Sequence, residues 1–449
     1  MIGAGAQRGA ALAYVLALLA MMSILVGTVW RLIRADNGLA ARARGESQAR
    51  LLAAAGLDYA RDRIGPPGPG QDLDYATDGL DYRLDDAGRD FHLEVRSRGL
   101  FARAVATGKS PIPLPGISTA RTALLGQKLD LSRLPAIGLL NHEGNMVLAG
   151  SAQVTGAAML WRGDVRKATD YHVRWTGGPG HAGAVWDSTA AAWGAARLDF
   201  ARADAWMEAQ ARMLAAGDFS SDGDYDSGDV AEIRLGDSAL LADTLVTRAR
   251  IVAGRLVVGA GARLRDAKLA VRTLEIREGA DLERVLAYAQ GNMRITGGSL
   301  RGGQFLAGDT LWLGTDRPLT DWPFFFARGR MAGRGRPDSA QVGALLIGNA
   351  SGQGVFISVC NEHPPFDQEI RLSVAKGARL AGFLYTPCYA RMEGTLDGTL
   401  LCHNLKFEYQ GTIWLGHLKD ARLAASRARI PVPLLFPGLE PAVFTAWAL

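Results

Sequence analysis

Apolar residues run without a charged interruption from Gly9 to Trp30, GAALAYVLALLAMMSILVGTVW, and Arg31 and Arg34 follow closely. These 22 uncharged positions meet the roughly 20 residues needed to cross a bilayer as a helix. No Pro interrupts the next stretch, in which Leu51, Leu52, Ala55 and Tyr59 recur close to helical spacing. Gly65-Pro66-Pro67-Gly68-Pro69-Gly70 cannot continue a helix. The pattern predicts one rod over 10–64, about 80 Å long at about 1.5 Å per residue. Its first half is apolar, its second half is amphipathic, and Asn37-Gly38 is the expected break or kink.

The period then changes to two. Leu80–Leu84, Phe91–Arg96 and Phe101–Thr107 alternate apolar and polar residues, with turn signals at Asp85-Asp86-Ala87-Gly88 and Arg98-Gly99, predicting a small antiparallel meander over 72–110. Pro111, Pro113 and Pro115 open a stiff linker, 111–136. Further on, the phrase L-x-[VI]-x-x-G-A-x-L occurs at Leu256–Leu264, Leu274–Leu282 and Leu372–Leu380. A version one residue shorter is Met293–Leu300, Leu311-Trp312-Leu313 opens another, and Met146–Val154 is a looser copy. The starts at 256, 274, 293 and 311 lie 18, 19 and 18 residues apart. Such a period marks a repeat architecture. Short strands broken by Gly leave no room for a helix, which predicts a β-solenoid whose strands stack about 4.8 Å apart. A β-sandwich with coincidental spacing is the alternative.

The expected fold class is therefore α+β and mostly β: a long amino-terminal transmembrane helix, a small antiparallel meander, then an interrupted β-solenoid. Its expected parts after the linker are first solenoid strands 137–160, an insertion 161–229 with an acidic loop, and solenoid 230–315. An irregular loop bearing aromatic residues and arginines, 316–341, solenoid again at 342–426, and a cap or tail, 427–449, complete it.

A leader ending in Gly, an apolar helix and an amphipathic extension closing on Ala54-Ala55-Gly56-Leu57-Asp58-Tyr59-Ala60 resemble type IV pilin-like proteins. Within that group the chain looks most like minor pilins and the large tip pseudopilin of type II secretion. The residues that carry the resemblance are Arg8-Gly9, Ala10–Trp30 and Gln48–Ala60. It implies a leader over 1–9, cleavage after Gly9 by a prepilin peptidase and methylation of the new amino terminus at Ala10. The partners it implies are the bacterial inner membrane, crossed once, and other pilin-like subunits, with the head periplasmic or at the cell surface. Ala10 stands where the family usually has Phe, and Tyr14 where most members have Glu. The tip pseudopilin also lacks that Glu, so the departure fits a minor or capping role. An ordinary signal anchor is the competing reading. Arg31, Arg34, Arg42 and Arg44 after the span favour a cytoplasmic head, against the leader pattern. Ala381–Pro387, Gly394–Leu405 and Tyr409–Gly416 resemble the repetitive β-region of large pilin-like surface proteins, and more loosely that of bactofilins.

Composition narrows the picture little. A net charge of +5 over 449 residues does not argue for a nucleic-acid protein. Three cysteines are too few for a disulfide framework and leave the redox compartment open. The sharpest local motif is DFSSDGDYDSGD, in which Asp218, Ser220, Asp222, Asp224, Asp226 and Asp229 present oxygens at positions 1, 3, 5, 7, 9 and 12 around Gly223. That spacing suits a structural calcium loop; the alternative is a solvated acidic turn. Cys360-x-x-His363, Cys388 and Cys402-His403 offer unligated thiols, a Cys388–Cys402 disulfide or a metal site. Phe324-Phe325-Phe326 with Arg328, Arg330, Arg334 and Arg336 offers a polyanion surface or, more simply, a loop whose aromatics plug the solenoid's flank. There is no G-x-S-x-G, H-E-x-x-H, phosphate loop or Rossmann fingerprint. The expected function is non-enzymatic, with no required cofactor and no established nucleic-acid or small-molecule ligand. A signal-anchored bactofilin-like scaffold and a surface-anchored carbohydrate-active solenoid enzyme are the alternatives.

Overall fold

The computed structural model describes residues 4–63, 80–83, 90–110, 117–143, 145–170, 173–178, 180–187, 198, 203, 207–208, 211–212, 214, 231–328, 344–359, 370–433 and 441–444. The chain has one long, apolar amino-terminal helix and a mostly β body with parallel sheets. It divides into two compact units. The first is drawn from Met1–Ala60, Asp78–Val95 and Ala104–Thr122, the second from the remainder.

In the first unit, α1 (Ala4–Arg63) is a single helix. It runs unbroken through Asn37-Gly38, where the sequence predicted a break. One interior glycine costs a helix only about 1 kcal/mol, and nothing lies within 4 Å of Gly38 to force a bend. The carboxyl-terminal half of α1 packs on a sheet of order β1-β2-β3-β4. These strands are β1 (Leu80–Arg83), β2 (Asp90–Arg98), β3 (Phe101–Lys109) and β4 (Ser118–Asp130). The first pair is antiparallel, with Leu80 opposite Leu93, as the meander pattern predicted.

The predicted face holds in part: Leu52 lies against Gly108 of β3 and Tyr59 against Phe91 of β2. Leu51 is exposed, while Leu52, Ala55 and Tyr59 are half-buried. Gly45, Ala49, Ala53, Gly56 and Ala60 are buried, and so is Leu57. Their spacing of three and four residues makes one stripe along a helix. A Cβ placed on Gly108 of β3 would lie 2.1 Å from the Ala49 carbonyl oxygen, and one on Gly56 2.8 Å from Ala106 and Phe91. Helix and sheet thus meet backbone to backbone at their closest approach, where small residues line the seam, with Leu52, Leu57 and Tyr59 beside them.

The second unit is built on parallel ladders whose offset is 18 to 20 residues between 245 and 327 and lengthens to between 27 and 34 at the steps that span 311–385. One joins 250–253, 268–271, 286–289, 304–307, 324–327, 355–358 and 383–386. A second joins 255–258, 274–276, 293–295, 311–313, 345–347, 372–374 and 390–392. A third joins 245–247, 263–265, 281–283 and 299–301. The repeated phrase explains the register. Its first, third and last residues, such as Leu274, Ile276 and Leu282, are buried in one continuous core. Its glycines turn the chain between ladders, Gly261 and Gly279 at φ of +73° and +80°, where a Cβ would be strained. Within the core Phe305, Phe325 and Phe356 stack in register, with ring centroids 5.2 Å apart at each step.

Several expected boundaries are corrected. Phe324–Ala327, read as part of an irregular loop over 316–341, is a fully buried strand. The proposed linker 111–136 contains β4 and a short 3-10 helix, Leu131–Arg133, because the prolines hid the apolar run Ala123-Leu124-Leu125 that follows them. The expected insertion 161–229 begins with strands: 165–167, 181–182 and 185–187 pair in parallel with 146–148, 154–155 and 158–160. The expected carboxyl-terminal cap instead pairs antiparallel with β4, through Arg429–Val432 and Pro441–Phe444.

The order of strands also departs from the order of the chain. Residues 137–139 pair with 400–402, 147–149 with 417–419, and 153–155 with 422–424. The earliest strands of the body therefore stack on its latest ones. On the other side of the first ladder a second core forms, in which Leu286, Tyr288, Phe324 and Phe326 are buried with Leu100, Leu131, Ile430 and Met207.

Candidate functional site

The amino-terminal half of α1 is the most conspicuous unpartnered surface. From Tyr14 to Ala40 every residue is exposed, among them Leu16, Leu19, Met22, Leu25, Val29 and Ile33. The apolar side chains lie on all sides of the helix, so no rotation hides them. Isolated apolar residues on a surface need no explanation, but a continuous patch of this size marks a membrane or partner contact. The helix is long and apolar enough to cross a membrane. The hydroxyl of Thr28 donates within the helix to the Ile24 and Leu25 carbonyls, at 3.0 and 2.8 Å, which satisfies it without water. Gly9 and Ala10, the expected processing pair, lie within the helix, but their side chains are outside the described residues.

The expected calcium ligands Asp218, Ser220, Asp222, Asp224, Asp226 and Asp229 lie outside the described residues, as do Cys360, His363, Arg330, Arg334 and Arg336. Cys388 and Cys402 are described, and they do not pair with each other. Cys402 is a free, fully buried thiol, and Cys388 is disulfide-bonded. The register explains the difference. Thr386 lies opposite Cys402, and an irregularity between Thr386 and Tyr389 carries Cys388 past that position. Cys402 faces the apolar core, and complete burial pushes its thiol well above the ordinary range, so it is unreactive in the folded chain.

The three phenylalanines of the expected polyanion surface are buried, each no more than 1% exposed. None is available to stack on a base. Arg328 beside them is half-buried and lies 3.8 Å from Glu208. The outward positions of the third ladder alternate in charge: Glu283 lies 3.4 Å from Arg265 and 3.5 Å from Arg301. Arg284 holds Asp266 through two hydrogen bonds of 2.9 Å. Pairs of this kind on a partly exposed sheet face bind neighbouring strands together weakly.

One buried group escaped the sequence reading. Lys268 stands in register with Arg250 and Leu286 and is fully buried. Burial pushes its amine down to about 7. The unfolded chain keeps that proton to about pH 10.4, so between the two values the unfolded state binds more protons and stability rises with pH. Below about 7 the amine is protonated in both states and its contribution stops changing. Urea unfolding at pH 7 and at pH 9.5 should show this rise, at most about 1.4 kcal/mol per pH unit. Lys268→Met should flatten it. An unchanged slope in the variant would assign the effect elsewhere. The signal in the sequence was a cation recurring eighteen residues after Arg250, inside a ladder otherwise read as apolar.

Each end of the parallel body carries strands that pair on one side only among the described residues. At one end these are 238–241 and 245–247, and Leu240 and Leu245 are exposed. At the opposite end they are 181–182 and 185–187, with Val185 and Trp186 exposed. There Trp175 packs on the core and donates its indole N–H to the Ala152 carbonyl at 3.2 Å, with the Lys167 ammonium 3.9 Å above its ring. No protein-family model, curated protein or solved structure matches the chain.

Proposed function

We propose that this chain is a non-enzymatic, membrane-anchored, minor pilin-like (pseudopilin) subunit of a bacterial type IV pilus or type II secretion filament. Its parallel body is a three-sided β-solenoid head for assembly or surface contact. One observation carries the reading: a single helix whose exposed apolar half continues without a break into a half docked, through small residues, on an antiparallel sheet. That geometry suits a helix bundled in a membrane or filament at one end and tied to an outer domain at the other. The reading of a solenoid head draws on ladders that advance by about eighteen residues over 245–313, with three short strands to each repeat there, as in quasi-one-dimensional repeat proteins.

The disulfide at Cys388 supports placing the head outside the cytosol, since such bonds persist in oxidising compartments. It weighs against the cytoplasmic placement that Arg31, Arg34, Arg42 and Arg44 favour. A bactofilin-like scaffold, growing by end-to-end stacking, draws support from the open strand edges at Leu240 and Leu245. The opposite end is open in the same way, with Val185 and Trp186 exposed on a strand paired on one side only among the described residues.

Mass spectrometry of the mature amino terminus tests the first reading. The expected product lacks Met1–Gly9 and begins with methylated Ala10. An intact leader on protein recovered from its native membrane would overturn it.

A further inference from the structure

The arginines that follow the apolar half are an obstacle to export if they are only charges. Their positions on the helix give them another use. Trp30 closes the apolar run, and the Arg34 guanidinium lies 5.7 Å over its ring. Tryptophan at the end of a span sits at headgroup depth. At about 1.5 Å per residue, Arg31 and Arg34 then fall about 1.5 and 6 Å beyond it, inside the headgroup layer of roughly 5–8 Å on each side. Arg42 falls about 18 Å beyond it, past that layer, and its charge already faces Glu46 at 3.3 Å. Three residues apart, Arg31 and Arg34 are neighbours on one side of the helix. Asp36 is turned roughly 140° or more from both at about 100° per residue. Both arginines are exposed, and no carboxylate pairs with either among the described residues. A guanidinium matches phosphate oxygens in a planar, two-pronged fashion.

We propose that Arg31 and Arg34, with Trp30, form a clamp for the phosphates of anionic phospholipid in the leaflet on the head's side. It rests on the reading of the apolar run as a membrane span. The clamp fixes the depth of the helix, and it gives the two charges favourable contacts on the side of the membrane where positive residues are otherwise disfavoured.

The test uses the full chain in phosphatidylcholine nanodiscs, titrated with phosphatidylglycerol and followed by native mass spectrometry. Each basic residue at an anionic surface is worth about a fivefold gain in binding, so the pair should give a preference for phosphatidylglycerol of about 25-fold. R31Q/R34Q should reduce it to about threefold or less, and R42Q/R44Q should leave it near the original value. An unchanged preference in R31Q/R34Q, an equal loss in R42Q/R44Q, or no preference in the original chain overturns the clamp. So does loss of cross-linking between copies in R31Q/R34Q with lipid preference intact, which assigns the pair to subunit contact. An alkaline carbonate wash of phosphatidylcholine vesicles separates the two levels. If the original chain is stripped, the span itself fails and the clamp with it. If both chains stay embedded and only the lipid preference differs, the clamp is supported.

Discussion

Phe325→Ala is expected to destabilise the parallel body by about 3–5 kcal/mol, the usual cost of truncating a buried aromatic residue. Phe325 is wholly buried and stacks between Phe305 and Phe356, 5.2 Å from each ring. Its removal opens a void lined on both sides by flat rings that ladder hydrogen bonds hold in place. The strands above and below cannot close the gap without breaking register, so the site relaxes little and the cost lies toward the upper end. Phe325→Leu keeps most of the volume and should recover a large part of the loss. The measurement is chemical unfolding followed by tryptophan fluorescence in detergent-solubilised full chain. A change below about 1 kcal/mol, the level expected of a surface substitution, would show that the aromatic column is not part of the cooperative core.

Gly108→Val should detach the helix from its sheet while sparing the parallel body. The Cβ of any residue at 108 would stand 2.1 Å from the Ala49 carbonyl oxygen and 2.7 Å from the Ala53 nitrogen. Both are backbone atoms of a helix, which cannot yield as a flexible side chain does. Overpacking typically costs about 1–3 kcal/mol when side chains can shift; with backbone on both sides the expected result is separation. Hydrogen exchange should accelerate in Ala104–Lys109 and in the facing turns of the helix at Ala49 and Ala53, with protection at Leu274–Ile276 unchanged. Equal acceleration in both regions would mean that the substitution unfolds the whole chain instead of opening one seam.

The features that could be read from the chain were those written in the period of large side chains. Leu256, Leu274, Met293 and Leu311 announced one column of the core because each repeat places a bulky residue at the same turn. The closest approach of helix and sheet was missed because it is written in absences: Gly45, Ala49, Ala53, Gly56 and Gly108 matter for what they lack. The buried strand at Phe324–Ala327 was taken for a loop because neighbouring arginines and prolines outweighed four apolar residues. The pairing of 137–139 with 400–402 was out of reach, since no local pattern records a partner more than two hundred and fifty residues away. At the candidate site the apolar span and its flanking arginines were legible. The partner of Cys388 was not, because the register irregularity after Thr386 has no mark in the spacing of the cysteines.

That long-range pairing has a consequence for how the molecule is made. Residues 137–155 leave the ribosome before the strands on which they rest, at 400–424. Until residues 400–424 have emerged, these early strands have a bare edge on that side, and closing such a distant contact is slow. Residues 137–187 can pair among themselves, and the regular repeats after Ala231 can do the same, before the two stacks are joined. A chain cut short near residue 400 would hold most of its repeats and still lack its terminal layer, exposing sticky strands to chaperones and proteases. The topology thus makes burial of the early strands depend on the late ones being present.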